Sequence, residues 1–420
     1  MPGEPAYVII GASLAGAKAA ETLREDGFTG HVVLLGSELE LPYERPPLSK
    51  AYLLGKADKS SIYVHDEHWY PGHHVDLQLG VTARAIDRGA KRVELASGGS
   101  IGYDRLLLTM GAHPRRLNLP GDDLDGVHYL RTAADSEALA TAMAVPPGEE
   151  TRVVIVGAGW IGLEVAAAAR EKGCAVTVLE AEPTALYRQL GPELGDFFAD
   201  LHRLHGVQFR FGETATGLHD GHEGRVTGVR TSGGEDLPAD VVVVAIGAAP
   251  DVTLAEAAGL ETGNGVLVDA VLQTSDPHIF AAGDVANQVH PLLGRRVRVE
   301  HWANALHGGP AAARSMLGHG VPYDRVPYFF SDQYDLGMEC SGLPEPGSYD
   351  EVVYRGDSGR LEFIAFWLLG GAVVAGMNVN VWDVTDDIQA LIRAGFAGRT
   401  VDPARLADPD VPLGSLLDGR

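Results

Sequence analysis

The sequence predicts an α/β protein built on two parallel-sheet units, with a smaller α+β region towards its end. Three observations carry that expectation. Two glycine-rich turns, Gly11-Ala12-Ser13-Leu14-Ala15-Gly16 and Gly157-Ala158-Gly159-Trp160-Ile161-Gly162, each follow a short apolar run, residues 7–10 and 153–156. Strand and helix patterns alternate through residues 1–35 and again through 153–180. From about residue 323 the pattern shifts to short alternating strands broken by a Gly/Pro turn at 343–347.

The elements follow in order. After the first turn, a strand over 31–35 runs into Gly36-Ser37, and the first acid is Glu38. Residues 93–96, 101–103 and 105–110 read as strands, the last ending at Gly111, and Pro146-Pro147-Gly148 precedes the second unit. There an Ala-rich helix over 161–172 ends at Gly173, and a strand over 175–179 leads directly to Glu180. A helix over 192–205 is followed by strands over 207–211, 225–231 and 240–246, ending at Gly247-Ala248-Ala249-Pro250. Further strands are expected at 266–268, around Thr274 and over 279–282, before Gly283-Asp284. The apolar stretch 363–377 is interrupted by Gly370-Gly371 and reads as a hairpin of two buried strands, and a helix is expected over 385–394. The pair of glycine-loop units is the internal duplication; if Gly283-Asp284 belongs with the first loop, the first domain is split around the second.

Each glycine position has a physical reason. The first permits a tight turn, the second lets backbone approach a pyrophosphate, and the third lets helix pack closely on strand. A helix N-terminus then offers N–H donors and a favourable dipole to negative charge. The second loop keeps all three glycines, while Ser13 takes the middle position of the first. Both units are therefore expected to be Rossmann-like and to hold nucleotides, although a strand–helix turn without a ligand would carry the same glycines. Glu180 stands where a carboxylate bonds a ribose diol and repels a 2′-phosphate, which favours NADH over NADPH. Arg188 is close by in sequence, and Glu38 lies further from its strand end than Glu180 does.

Composition narrows the class. With 420 residues, 45% of them hydrophobic, the chain is long enough for two or three domains. Residues 1–6 form a short polar lead without a signal-peptide pattern, and the stretch 363–377 is too short to span a bilayer. The chain is expected to be cytoplasmic, with no membrane partner. A formal net charge of −24 argues against nucleic acid. It also means that an acidic protein partner needs a local basic patch. Arg295, Arg296 and Arg298 supply one, just before Glu300-His301-Trp302. Cys174 and Cys340 form no Cys-x-x-Cys and are expected to be reduced and semi-buried, which removes a redox disulfide relay. His65, Asp66, His68, His73 and His74 fit no common metal spacing, so no metal is expected.

Several motifs in this order resemble those of one family, the FAD-dependent NADH:ferredoxin reductases of oxygenase systems (the putidaredoxin reductase and biphenyl dioxygenase ferredoxin reductase type). They are Arg45-Pro46-Pro47-Leu48-Ser49-Lys50, the glycine run ending at Glu164, Phe280-Ala281-Ala282-Gly283-Asp284, Glu300-His301-Trp302 and Ser331-Asp332-Gln333. The likeness covers essentially the whole chain. It implies a glutathione-reductase-like fold with an FAD domain over 1–118 and 247–322, an NAD(H) domain over 119–246 and a C-terminal interface domain over 323–420.

By the same resemblance, FAD contacts fall to the first loop (Gly11, Ser13, Leu14, Ala15, Gly16), to Glu38, and to Arg45 near the phosphates. They continue through Val81, Thr109, Gly111, Arg131, Gly283 and Asp284 to the His301-Trp302 backbone. NAD contacts fall to Gly157, Gly159, Ile161, Gly162, Glu180, Arg188 and Gly247, with Glu300 facing the nicotinamide. Lys50 is implied beside the flavin, stiffened by Pro46-Pro47, and paired with Glu164 at the reaction centre. An acid in the first helical turn is also favoured by the dipole alone. Phe330 stands where relatives often carry Trp; it can stack on the flavin but has no indole N–H.

The implied activity is transfer of electrons from NADH through FAD, singly, to a [2Fe–2S] ferredoxin that serves a cytochrome P450 or Rieske oxygenase. A monomer or weak homodimer is expected. A rubredoxin- or monodehydroascorbate-type reductase would share the flavin site, and an apoptosis-inducing-factor-like interaction protein would share the architecture. A disulfide reductase would need a cysteine in the segment 45–50, which has none.

Overall fold

The structure, a computed structural model, describes residues 4–221 and 223–417; the first three residues of the polar lead lie outside them. The chain forms two compact units. The first comprises the chain to Glu44, Lys59–His113 and Ala249–Pro327; the second comprises Arg45–Asp58, Pro114–Ala248 and the chain from Tyr328.

The first unit is centred on a five-stranded parallel sheet in the order Ile279–Ala281, Arg105–Leu108, Ala6–Ile10, His31–Gly36, Val75–Leu79. Its four strands other than the edge strand Val75–Leu79 are rich in apolar runs. Such runs suit strands covered on both faces, and Val8, Ile9, Leu34, Leu107 and Phe280 are buried. The helix Leu14–Glu25 packs against the helix Trp302–Met316. The two come within backbone contact because Gly309 has no Cβ, which would overlap the Ala15 carbonyl. A three-stranded antiparallel sheet (Ala83–Asp87, Arg92–Leu95, Ser100–Gly102) completes the pattern, with a four-stranded sheet that includes Ala286–His290 and Arg295–Val297.

The second unit repeats this plan. Its parallel sheet runs Gln208–Phe211, Ala175–Glu180, Arg152–Val156, Val241–Val244, Val127–Tyr129, again beside a three-stranded antiparallel sheet. The same unit contains an antiparallel five-stranded sheet in the order Tyr328–Gln333, Leu336–Gly342, Ala372–Val379, Glu362–Leu369, Glu351–Asp357. The hairpin turns at Gly370 and Gly371, both at positive φ (57° and 82°), as two-residue hairpin turns favour. The helix Thr385–Phe396 covers the strand Ala372–Val379.

Three differences from the sequence reading have clear causes. Gly283-Asp284 opens only a short 3-10 turn, Gly283–Val285, before the chain enters the strand Ala286–His290, and the helix packed on that turn is the later one, Trp302–Met316. Both cysteines are fully buried rather than semi-buried, and burial pushes each thiol up from its ordinary range. Several short elements carry too little periodicity to be read from sequence, among them the strands Val75–Leu79 and Val127–Tyr129. The helix Ala133–Ala142 was also missed, although Thr132 and Asp135 cap it reciprocally.

Candidate functional site

In both units the glycine loop leaves the central strand of the parallel sheet, where neighbouring strands connect in opposite directions and ligands bind such folds. The two loops share their backbone bonding. The Gly11 N–H donates to the Leu35 carbonyl at 2.8 Å, and the Gly157 N–H donates to the Leu179 carbonyl at 2.7 Å. Gly157 holds φ +107°, and a Cβ there would strike the Ala245 carbonyl; a Cβ on Gly162 would strike the Gly157 carbonyl. The first loop has the same constraint at Gly11 and Gly16. The middle position differs in kind: around Gly159 nothing lies within 4 Å of an added Cβ. That open space faces the start of the helix Trp160–Glu171, whose first N–H groups have no intrahelical acceptor. The Trp160 ring, next in sequence, packs against Phe198 and Phe329. The room at Gly159 and the N–H groups of the first helical turn fit a pyrophosphate.

The strand-end acids are set by what the loops leave room for. Glu180 ends its strand half-buried, and its carboxylate accepts from the Ala158 N–H at 2.6 Å and the Glu182 N–H at 2.9 Å. The carboxylate is thus fixed against the glycine loop. Arg188 pairs with Glu182 at 2.5 Å. In the first unit the equivalent strand position is Gly36, where an added Cβ would stand 2.6 Å from the Ala12 side chain. No side chain fits there, so the acid moves on to Glu38, which accepts from the Tyr43 hydroxyl at 2.5 Å.

The other first-unit candidates are distributed as follows. Val81 is held by its N–H to the Gly36 carbonyl (2.8 Å), and the buried Thr109 hydroxyl lies 2.9 Å from the Gly11 carbonyl. Leu14 and Ala15 are buried in the first helical turn. Gly111 has φ +76° and Gly283 φ +75°. His301 caps the helix Trp302–Met316 in an extended conformation. Burial pushes its imidazole down to about 4, against the opposing pull of Asp284.

The basic patch needs correction. Arg295 and Arg296 are exposed, but the Arg298 side chain is only 8% exposed. Arg298 pairs with Glu300 and donates to Asn264 Oδ1 (3.0 Å) and the Asp284 carbonyl (3.2 Å). It braces the polypeptide around Asp284 and is not available to a partner. The histidine segment is aromatic packing: Trp69 stacks between His65 (3.9 Å) and His73 (4.3 Å).

The second unit assembles the charged centre. Pro46–Ser49 form a 3-10 turn, with Arg45 donating to the Arg131 carbonyl and the Leu48 carbonyl accepting from Ser136 Oγ at 2.8 Å. That turn delivers Lys50 Nζ to Glu164 Oε1 at 2.7 Å, with side chains only 16% and 6% exposed. Glu164 also accepts from the hydroxyls of Ser49, at Oε2, and Ser331, at Oε1 (2.7 Å). A lone buried carboxylate would be strongly disfavoured; this one has a cation and two hydroxyl donors. Lys50 Nζ also lies 5.6 Å from the Phe330 ring centroid, within cation–π range. Ile161 is 47% exposed in the first turn of the Glu164 helix, and Gly247 has φ +94°. The sequence reading had no role for Ser49, Ser331, Gln333 or His202. The signal for Ser331 and Gln333 was their two-residue spacing on a strand, which puts both on one face.

Residues 5–309 match the family model described as pyridine nucleotide-disulphide oxidoreductase, and 328–417 match the reductase C-terminal model. The chain is 41% identical to the anthranilate 1,2-dioxygenase system ferredoxin–NAD(+) reductase component of Burkholderia cepacia, over 99% of this chain and 100% of that protein. Among solved structures, it is similar to the ferredoxin reductase for the CYP199A2 system from Rhodopseudomonas palustris. That likeness has a TM-score of 0.91 and 38% identity, covering 97% of this chain and 98% of that one. The reductase in the covalent putidaredoxin reductase–putidaredoxin complex also gives a TM-score of 0.91, at 35% identity over 99% and 98% of the two chains.

Proposed function

The chain belongs to the pyridine nucleotide-disulphide oxidoreductase family, among the ferredoxin–NAD(+) reductases of oxygenase systems, and on that premise we propose that it passes electrons from NADH to a [2Fe–2S] ferredoxin. One observation carries the reading: a single chain builds the dinucleotide loop twice, each time at the end of the central strand of a five-stranded parallel sheet. Bound FAD supplies the hydride acceptor and releases electrons one at a time to a one-electron partner.

The residues divide the work. In the first unit, the loop Gly11, Ser13, Leu14, Ala15, Gly16 would hold the FAD pyrophosphate, with Glu38 at a ribose. Val81, Thr109, Gly111, Gly283 and Asp284 would line the rest, and the His301-Trp302 backbone would meet the ring edge. Arg45, Arg131 and Phe330 are assigned to the same cofactor from the family pattern. The loop Gly157, Gly159, Ile161, Gly162 would hold NADH in the second unit, with Glu180 on the ribose diol. Arg188, Gly247 and Glu300 complete that set. Tethering by two N–H groups keeps the Glu180 carboxylate aimed, which supports NADH over NADPH. Lys50, fixed by Glu164, offsets negative charge where the electrons arrive.

The ferredoxin is proposed to dock at Arg295 and Arg296, where positive charge stands out on a strongly acidic chain and would speed association. A cytoplasmic location and a monomer or weak homodimer complete the proposal; among the described residues no helix is long and apolar enough to cross a membrane. Neither buried cysteine lies in the segment Arg45–Asp58, which disfavours a disulfide relay. Anaerobic titration of the purified yellow protein tests the reading. Bleaching should complete at about one equivalent of NADH per flavin. A flavin that NADH leaves oxidised would contradict it.

A further inference from the structure

Glu164 is the end point of a longer hydrogen-bonded chain, all within the second unit. Its Oε1 accepts from Ser331 Oγ at 2.7 Å. Ser331 Oγ in turn accepts from Gln333 Nε2 at 3.0 Å. Gln333 Oε1 lies 2.8 Å from His202 Nε2, and His202 Nδ1 lies 3.0 Å from the Tyr334 hydroxyl. Ser331, Gln333, His202 and Glu164 are all buried.

The directions of these bonds are fixed by chemistry. Gln333 spends its amide N–H₂ on Ser331, so its oxygen faces His202 and must accept. His202 Nε2 therefore carries the proton, and Nδ1 accepts from Tyr334. Every donor then points towards Glu164: Tyr334 to His202, His202 to Gln333, Gln333 to Ser331, Ser331 to the carboxylate. Such a one-way chain polarises each bond in turn and favours negative charge at its end. It also requires His202 to stay neutral, since a protonated ring would turn an N–H on the Tyr334 hydroxyl. The last turn of the helix Pro192–Leu204 would favour a cation. Burial, with His205 nearby, outweighs the hydrogen bond to Gln333 and pushes the His202 imidazole down to about 4.

We propose that His202 is a positioning residue for the Lys50–Glu164 pair: its neutral Nε2–H tautomer, acting through Gln333 and Ser331, orients the Glu164 carboxylate that fixes Lys50. The inference rests on the reading that Lys50 serves the electron-transfer centre. The Ser331-Asp332-Gln333 motif thereby gains a role: two of its side chains carry the link from His202 to Glu164. His202 itself touches neither Lys50 nor Glu164.

Three variants test it, Gln333→Leu, His202→Leu and His202→Gln. The glutamine at position 202 places an N–H near the original Nε2 and should restore the bond to Gln333. The readouts are the equilibrium midpoint potential of the bound flavin and the limiting rate of its reduction by NADH under single turnover. Thermal midpoints check folding. Q333L and H202L should lower the potential and slow reduction about tenfold, as expected for misdirecting one charge-assisted bond, with the Kd for NADH unchanged. H202Q should return both readouts towards wild type. Wild-type potential and rate in Q333L would overturn the proposal, as would H202Q matching H202L in a protein of normal thermal midpoint. If NADH fails to reduce even the wild-type flavin, the functional reading falls, and the dithionite-driven potential still decides the inference.

Discussion

At the scale of single residues, the site depends on charges that are held in place before any ligand arrives. Glu180 and Glu164 are both carboxylates assigned to the proposed site, yet they are held differently. Glu180 is fixed by the backbone N–H groups of Ala158 in the glycine loop and of Glu182, and Glu164 by Lys50, Ser49 and Ser331. Glu180→Ala should raise the KM for NADH roughly 10- to 100-fold, the value of one or two hydrogen bonds to a charged group, and leave kcat largely intact. Steady-state kinetics with NADH and ferricyanide measure this; an unchanged KM would remove Glu180 from the ribose site. Arg298 shows where residue type misleads. Three arginines in four positions read as a surface patch, but the β-strand and its neighbours turn the third inward onto Glu300 and Asn264.

At the scale of elements, the glycine loops were legible because their constraint is local. The turn and the strand–helix contact each demand the absence of a Cβ at the first and last positions of the loop, and both loops take the same backbone bonds. The displacement of the first acid to Glu38 was visible in the sequence, but its cause was not. Ala12 packs against Gly36 across the loop, a contact that only the folded strand order creates. The His202–Gln333 link was equally hidden, because it joins a helix end to a strand far along the chain. The hairpin at Gly370-Gly371 was readable from two glycines between apolar runs, whereas the short strand Val127–Tyr129 had no such punctuation. Gly162→Ala tests the loop geometry itself. Its Cβ would meet the Gly157 carbonyl, so thermal stability should fall by about 1–3 kcal/mol and NADH affinity with it. Calorimetry and nucleotide titration check this, and a variant with wild-type Tm and Kd would show that the close approach is not needed.

At the scale of the whole molecule, a chain of formal charge −24 is proposed to receive a ferredoxin, and the exposed pair Arg295 and Arg296 offers local relief from that charge. Reversing both to Glu should slow ferredoxin reduction, more at low ionic strength than at high, and leave NADH-to-ferricyanide turnover intact. Equal losses in both assays would place the two arginines outside the docking surface. The duplicated plan gives the larger logic. Two units, each with a loop at the end of a central strand, suit one chain to an electron donor and a carrier, and the Lys50–Glu164 pair is proposed as the fixed charge for the transfer. NADH-driven cytochrome c reduction by the purified flavoprotein, with and without a panel of [2Fe–2S] ferredoxins, tests that claim most directly. Strong stimulation by at least one ferredoxin is predicted. Rapid flavin reduction by NADH with no stimulation by any of them would contradict ferredoxin as the acceptor.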